Sequence, residues 1–177
     1  MAKYLPHQPQ HVYLDNTWYF ISASVYRRER LLGGDDPKAM LRDQLKALAI
    51  EFGLQISAWV ILDNHYHLLI ESKTGSDLPR WVGRLHGAVS HTLNQHAGLR
   101  GRRVWDNYWD VCMRSEKDYW TRFNYIHHNP VKHGYVSGME EWKFSSYCWY
   151  ADHKGTDWLN DVLQRYPILD FTDSRDL

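Results

Sequence analysis

The stretch from Leu54 to Glu71 constrains this chain more than any other. Leu54 to Leu62 alternates apolar and polar side chains, the period of a half-buried strand. Asp63-Asn64 is turn chemistry, and His65 to Glu71 resumes a strand pattern. The two runs are expected to pair as an antiparallel hairpin. Leu68, Leu69 and Ile70 in succession leave the second strand no polar face there, so it should be a central, buried strand.

The flanking sequence supplies the rest of a sheet. Thr17 to Tyr26 is rich in β-branched and aromatic residues and reads as a strand. Asp36 is an N-cap candidate with Pro37 at the first helical position; Leu41, Leu45, Leu48 and Phe52 follow at helical spacing and Gly53 stops the helix. Leu78 to Ala97 reads as a long helix ending at Gly98. Arg100 to Arg103 is a basic loop, and Val104 to Arg114 is expected to be extended. Ser115-Glu116-Lys117-Asp118 resembles a capping box opening a helix to about His128, ended or kinked by Pro130. The order is strand, helix, strand, strand, helix, strand, helix. It predicts a ferredoxin-like βαββαβ α+β fold: an antiparallel sheet with helices on one face, plus an additional C-terminal helix. Residues 1–150 read as a single domain and 151–177 as an acidic C-terminal tail.

Composition excludes several classes. With 177 residues, 44% hydrophobic and 24% charged, the chain should form one globular domain. Met1 to Gln10 lacks the apolar core of a secretory signal, and no apolar run approaches the ~18 residues of a membrane span. Two cysteines, Cys112 and Cys148, make no disulfide framework, which points to the cytoplasm. The zero net charge hides an asymmetry. Residues 1–134 hold 17 Lys/Arg against 13 Asp/Glu, and residues 135–177 hold 4 against 8. From Arg80 to Arg103 there are five arginines and no acidic residue, a candidate phosphate-binding stripe.

Two constellations carry chemistry. On a strand, His65 and His67 point to the same face, where two imidazoles can share a divalent ion; Tyr66 points the other way. On a helix, Tyr125 and Asn129 are four apart and share a face. The Asn129 amide oxygen suits Mg²⁺ or Mn²⁺ as a third ligand, with His128 as a competitor. The plainer alternative puts Tyr125 in the core and makes Asn129 a helix cap. Tyr119, Phe123 and Ile126 can supply the core-facing stripe, which leaves Tyr125 and Asn129 partly on another face.

Asn64-His65-Tyr66-His67-Leu68-Leu69-Ile70 resembles the HUH motif of the single-tyrosine, IS200-like transposases. Tyr125-Ile126-His127-His128-Asn129-Pro130-Val131-Lys132-His133-Gly134 resembles the Tyr-Ile-x-x-Asn-Pro-Val-Lys-x-Gly signature of the REP-associated tyrosine transposases. Tyr108-Trp109-Asp110 and Arg114 to Tyr119 are also similar to that family, and the likeness spans Thr17 to Tyr147. Tyr66 departs from the usual smaller apolar residue between the histidines. The resemblance implies that His65, His67 and Asn129 bind Mg²⁺ or Mn²⁺ and that Tyr125 is the nucleophile. The implied product is a 5′-phosphotyrosine with a free 3′-hydroxyl, a linkage that can be rejoined without ATP. The implied substrate is single-stranded DNA beside a hairpin. Arg80, Arg84, Arg100, Arg102 and Arg103 would meet phosphates, Trp105, Tyr108 and Trp109 would stack on bases, and Lys132 would lie just beyond the site. A monomer is favoured over a helix-swapped homodimer. Two other functions compete: a domesticated, non-catalytic DNA-binding regulator, and a zinc metallohydrolase built on Asp63, His65 and His67. The acidic tail is expected to restrain DNA access by competing for the basic stripe.

Overall fold

A computed structural model describes residues 13–169 and Phe171. The chain runs β1 (Thr17–Ser24), α1 (Asp35–Phe52), β2 (Gln55–Ile61), β3 (His65–Ser72), α2 (Asp77–His96), β4 (Trp109–Cys112), α3 (Glu116–Lys132), α4 (Tyr147–Lys154) and α5 (Thr156–Arg165). Short 3₁₀ turns lie at Tyr26–Arg28 and Met139–Glu141. The sheet order is β2-β3-β1-β4, antiparallel throughout, which is the expected ferredoxin-like α+β arrangement.

β3 is central, and every residue from His65 to Ile70 is buried. Strand alternation sorts its side chains between two cores. Tyr66, Leu68 and Ile70 join Leu41, Leu45 and Leu48 of α1 and Trp81, Leu85 and Val89 of α2. Leu69 joins Phe20 and Val60 beneath Phe123, Tyr125 and Ile126 of α3 and Leu159 and Val162 of α5. His65 and His67 share the Leu69 side and therefore face α3. The Tyr66 ring is accommodated between them because its hydroxyl shares a 2.8 Å hydrogen bond with His86 Nε2. Burial pushes His86 down to about 3, so that ring is neutral at physiological pH.

Several boundaries differ from the sequence reading. α1 begins at Asp35 with Gly34 as its N-cap, so Pro37 sits inside the first turn, and Asp35 and Asp36 complement the helix dipole there. α3 is capped as expected: the Ser115 side chain accepts from the Asp118 amide at 3.1 Å. It does not stop at His128, because Pro130 is held within the helix, which runs on to Lys132. The segment read as an acidic tail contains α5. Leu159 and Val162 are three apart on one face and pack under α3, while Asn124 Nδ2 donates to the carbonyls of Val162 and Tyr166 at 3.3 and 2.7 Å. Its charges lie on the solvent side, and the sequence pattern was dominated by them. Truncation at residue 151 would therefore strip the second core.

Candidate active site

Two elements build the site. β3 presents His65 and His67, and α3 lays Tyr125 and Asn129 over them. The relative exposures are 2% for His65, 1% for His67, 2% for Tyr125 and 0% for Asn129. The Asn129 amide oxygen is 3.0 Å from His65 Nε2. The Tyr125 ring stands edge-on to His67 at 5.5 Å and to Phe20 at 6.0 Å, and Phe20 stacks on His67 at 5.3 Å. Tyr125 and Asn129 thus lie on the core face of α3 rather than partly on another, because the helix covers this side of the sheet. The plainer alternative was correct about burial, yet burial places both side chains against the histidines. His128 is half-buried, and Asn129 is the residue that meets His65.

Asn64 decides which His65 nitrogen is available. Its Nδ2 donates to the Arg28 carbonyl at 3.3 Å, which orients its oxygen toward His65 Nδ1 at 2.7 Å. That oxygen can only accept, so Nδ1 carries the proton and Nε2 of the neutral ring keeps its lone pair. The lone pair faces the Asn129 oxygen, and Asn129 Nδ2 is buried with no hydrogen-bond partner among the described residues. Two lone pairs 3.0 Å apart suit a cation that both atoms could share. Adjacent ligands at about 2.1 Å from an octahedral Mg²⁺ stand about 3.0 Å apart, so the donor set fits such an ion. Asn64→Ala frees the His65 ring and should weaken Mn²⁺ binding by about 10- to 100-fold, measured calorimetrically, with the fold retained. Wild-type affinity in that variant would show that Asn64 does not orient the ligand.

The cations at this site are not those of the expected stripe. Arg80 and Arg84 lie on α2, across the sheet from α3, where they pair with Asp77 and Glu51. Arg102 Nε donates to Asn94 Oδ1, Arg103 pairs with Asp106, and Arg100 is exposed beyond the end of α2. Trp105 is buried and stacks on His86 at 4.4 Å, so it is a core residue rather than a platform for bases. Tyr108 hydrogen-bonds Tyr13 at 3.0 Å, and Trp109 is half-buried in β4. Among the stripe and aromatic candidates, none lines the cleft at His65. Lys132 does approach Tyr125, with its Nζ 3.4 Å from the Tyr125 hydroxyl.

Residues given no role in the sequence reading, Arg28, Arg30, Arg122 and Tyr135 among them, surround the site instead. A cleft of about 400 Å³ opens beside His65, lined by Arg28, Arg30, Asn64, His133, Gly134 and Tyr135. His133, one turn after Asn129, sets its ring edge-on to His65 at 4.9 Å. Arg122, one turn before Tyr125, lies between the rings of Phe20 and Phe171 at 4.6 and 3.4 Å. Phe171 also meets the Tyr125 ring edge-on at 5.3 Å. The visible signal was the cluster Arg27-Arg28-Glu29-Arg30 directly after β1, together with helical spacing from Arg122 and Asn129.

Asp63 has a different task from metal binding. It accepts from buried Lys38 and from Arg30, the latter through Nε at 2.9 Å. Burial alone would raise its carboxyl, but the hydrogen bonds from Lys38 and Arg30 outweigh it and hold the group below the usual carboxylate range. A carboxylate held by two cations has no place in an Asp63, His65, His67 zinc set. Among the described residues no group of three His, Cys, Asp or Glu side chains is arranged to hold a metal. The Asn129 oxygen is the further donor that the structure brings to the two histidines.

The comparisons with known proteins bear on the family and the fold. The family model "Transposase IS200 like" matches residues 14–129. A REP-associated tyrosine transposase of Escherichia coli (strain K12) is 30% identical over 156 residues, covering 82% of this chain and 86% of the relative. A solved structure of a REP-associated tyrosine transposase bound to a REP hairpin superposes with a TM-score of 0.69 at 27% identity, over 84% of this chain and 87% of that one. The family model stops at Asn129, so it spans both histidines, the tyrosine and the amide that converge here. The chain belongs to the IS200-like transposase family, among the REP-associated tyrosine transposases.

Proposed function

We propose that this protein is a metal-dependent nickase and strand transferase acting on single-stranded DNA beside a hairpin. The observation that carries the reading is the meeting of Tyr125 with His67 and of Asn129 with His65 inside one chain. Tyr125 Oη attacks the scissile phosphorus, the bond from phosphorus to the 3′ oxygen breaks, and that oxygen leaves as a hydroxyl after taking a proton. The phenol gives up its own proton in the attack. Lys132 Nζ, beside the phenolic oxygen, stabilises the negative charge that develops there. His65, His67 and Asn129 would hold Mg²⁺ or Mn²⁺, which polarises the scissile phosphate when bound. Phe20 and Tyr66 hold β3 and its histidines from the two faces of the sheet. The phosphotyrosine preserves the phosphodiester energy, so a 3′-hydroxyl can reverse the step and join strands without ATP.

The test is a denaturing gel of the full chain with labelled hairpin DNA carrying single-stranded flanks, with Mn²⁺ or with a chelator. A covalent protein–DNA band that needs Mn²⁺ is expected. Tight binding without any adduct, across several hairpins and metals, would instead favour the non-catalytic DNA-binding regulator. Because Tyr125 meets the histidines of its own chain, the site is complete without helix exchange, which supports a monomer. Among the described residues no helix is long and apolar enough to cross a membrane. We place the protein in the cytoplasm with its DNA substrate.

Phe171 lies edge-on to the Tyr125 ring and carries the Arg122 guanidinium over its own face. Steric obstruction by this ring differs from the competition for the basic stripe expected of the acidic tail, three of whose acidic residues, Asp170, Asp173 and Asp176, lie outside the described residues. Phe171→Ala should raise the initial rate of adduct formation severalfold in a single-turnover assay, with little change in melting temperature. A rate equal to or below wild type would show that the ring does not obstruct the site.

A further inference from the structure

We propose that Arg28 is a positioning residue for the DNA strand: its guanidinium holds a backbone phosphate of the single-stranded flank in the cleft beside His65. This rests on the nuclease reading of the site and adds a determinant outside its metal and tyrosine groups.

Three observations converge on Arg28. Its side chain lines the same cleft as His65 and Asn64, about 400 Å³ in volume, enough for a nucleotide. Second, Arg28 has no carboxylate partner among the described residues. Arg30 is engaged by Asp63, Arg80 by Asp77, Arg84 by Glu51 and Arg103 by Asp106. A guanidinium beside a cation-binding site, with no carboxylate of its own, is suited to a two-pronged contact with a phosphodiester.

Third, the turn that carries Arg28 is held at a steric cost. Arg27 and Arg28 have φ of 56° and 57°, in the left-handed region that residues with a Cβ rarely enter. The conformation is held by the Arg28 amide donating to Val25 O at 2.9 Å and the Glu29 amide to Tyr26 O at 3.2 Å. Asn64 adds the third tie, from its Nδ2 to the Arg28 carbonyl. The same Asn64 orients His65 through its oxygen. One side chain thus fixes both the turn that carries Arg28 and the tautomer of a metal ligand. A phosphate seated on Arg28 is placed in register with the metal-binding nitrogen.

The experiment uses the full chain and two labelled oligonucleotides, a hairpin with single-stranded flanks and the same hairpin without them. Binding is read by fluorescence anisotropy over a salt series, and covalent capture with Mn²⁺ at saturating DNA. The variants are Arg28→Gly, which relieves the left-handed strain and so protects folding, and Arg28→Lys. Arg28→Gly should lower the slope of log affinity against log salt by about 0.7 on flanked DNA and leave the flankless hairpin unchanged. It should also slow covalent capture at least tenfold. Arg28→Lys should restore the slope but only part of the rate, because a single ammonium lacks the planar fork. A wild-type slope in Arg28→Gly, or an equal loss on both oligonucleotides, would overturn the proposal. So would a lower melting temperature with an unchanged slope, which would make Arg28 a purely structural residue. If wild type forms no adduct, the nuclease reading falls, while the two binding slopes still decide whether Arg28 holds the flank.

Discussion

Tyr125→Phe should abolish covalent capture of DNA and leave hairpin affinity and fold nearly intact. The variant deletes one oxygen. The ring that packs against Phe20, His67 and Phe171 stays, so its 2% exposure and its neighbours are preserved. Loss of the 3.4 Å approach from Lys132 should change stability by less than about 1 kcal/mol. The chemical effect is far larger, because the deleted oxygen is the proposed attacking atom. A fall of about 10³-fold or more in adduct rate is expected, the scale on which losing a nucleophile acts. The metal site proposed at His65, His67 and Asn129 should bind Mn²⁺ as before. An adduct that persists in Tyr125→Phe would move the nucleophile to another residue and remove the central role given to α3.

The second large effect concerns stability. Asp63→Asn should destabilise the protein by about 3–5 kcal/mol, because it strands a buried ammonium. Lys38 is 3% exposed and its Nζ is directed at Asp63 Oδ1, with the Leu32 and Gly34 carbonyls at 3.0 and 3.1 Å as further partners. The two carbonyls satisfy hydrogen bonds but do not neutralise the charge. Arg30 contributes little to this figure, since its side chain is largely exposed and screened. For a chain of this size, 3–5 kcal/mol corresponds to a fall in melting temperature of about 10 °C. Chemical denaturation at pH 7 measures it. A loss under about 1 kcal/mol would mean that Lys38 relaxes into solvent.

The pH dependence has a defined sign. The Asp63 carboxyl is lowered in the folded state, so it binds fewer protons there than in the unfolded chain. Its contribution is complete above the ordinary value of about 4 and disappears as pH falls through the lower folded value. Wild type should therefore lose stability below about pH 4 more steeply than Asp63→Asn. The cluster also anchors the turn before His65, since Leu32 N donates to Asp63 O at 2.9 Å. Its loss should reach the metal site through β3.

Part of this protein is legible from local sequence, since local periodicity is a local property. Alternation alone sorts His65 and His67 to one face of β3 and Tyr66 to the other. The run Leu68-Leu69-Ile70 marks a strand covered on both sides. Ser115 to Asp118 is the start of α3, and the four-residue spacing of Tyr125 and Asn129 puts them on one helical face. Strand and helix order then leads to the ferredoxin-like sheet. What the tertiary structure decided is which distant groups share a space. Arg80 and Arg84 form a basic run with Arg100 to Arg103 in sequence, yet α2 packs on the sheet face opposite α3, so those two cannot reach the histidines from there. Arg28 and Arg30 lie on a short turn that no periodicity highlights, and the end of β1 carries them to His65. Trp105 is indistinguishable in sequence from a base-stacking residue until His86 is found against it. Asn64 reads as turn chemistry, and only the fold shows it joining Arg28 to His65. The physical reason is the same in each case: a side chain's face is set by its neighbours in the chain, but its partners are set by how layers of secondary structure stack.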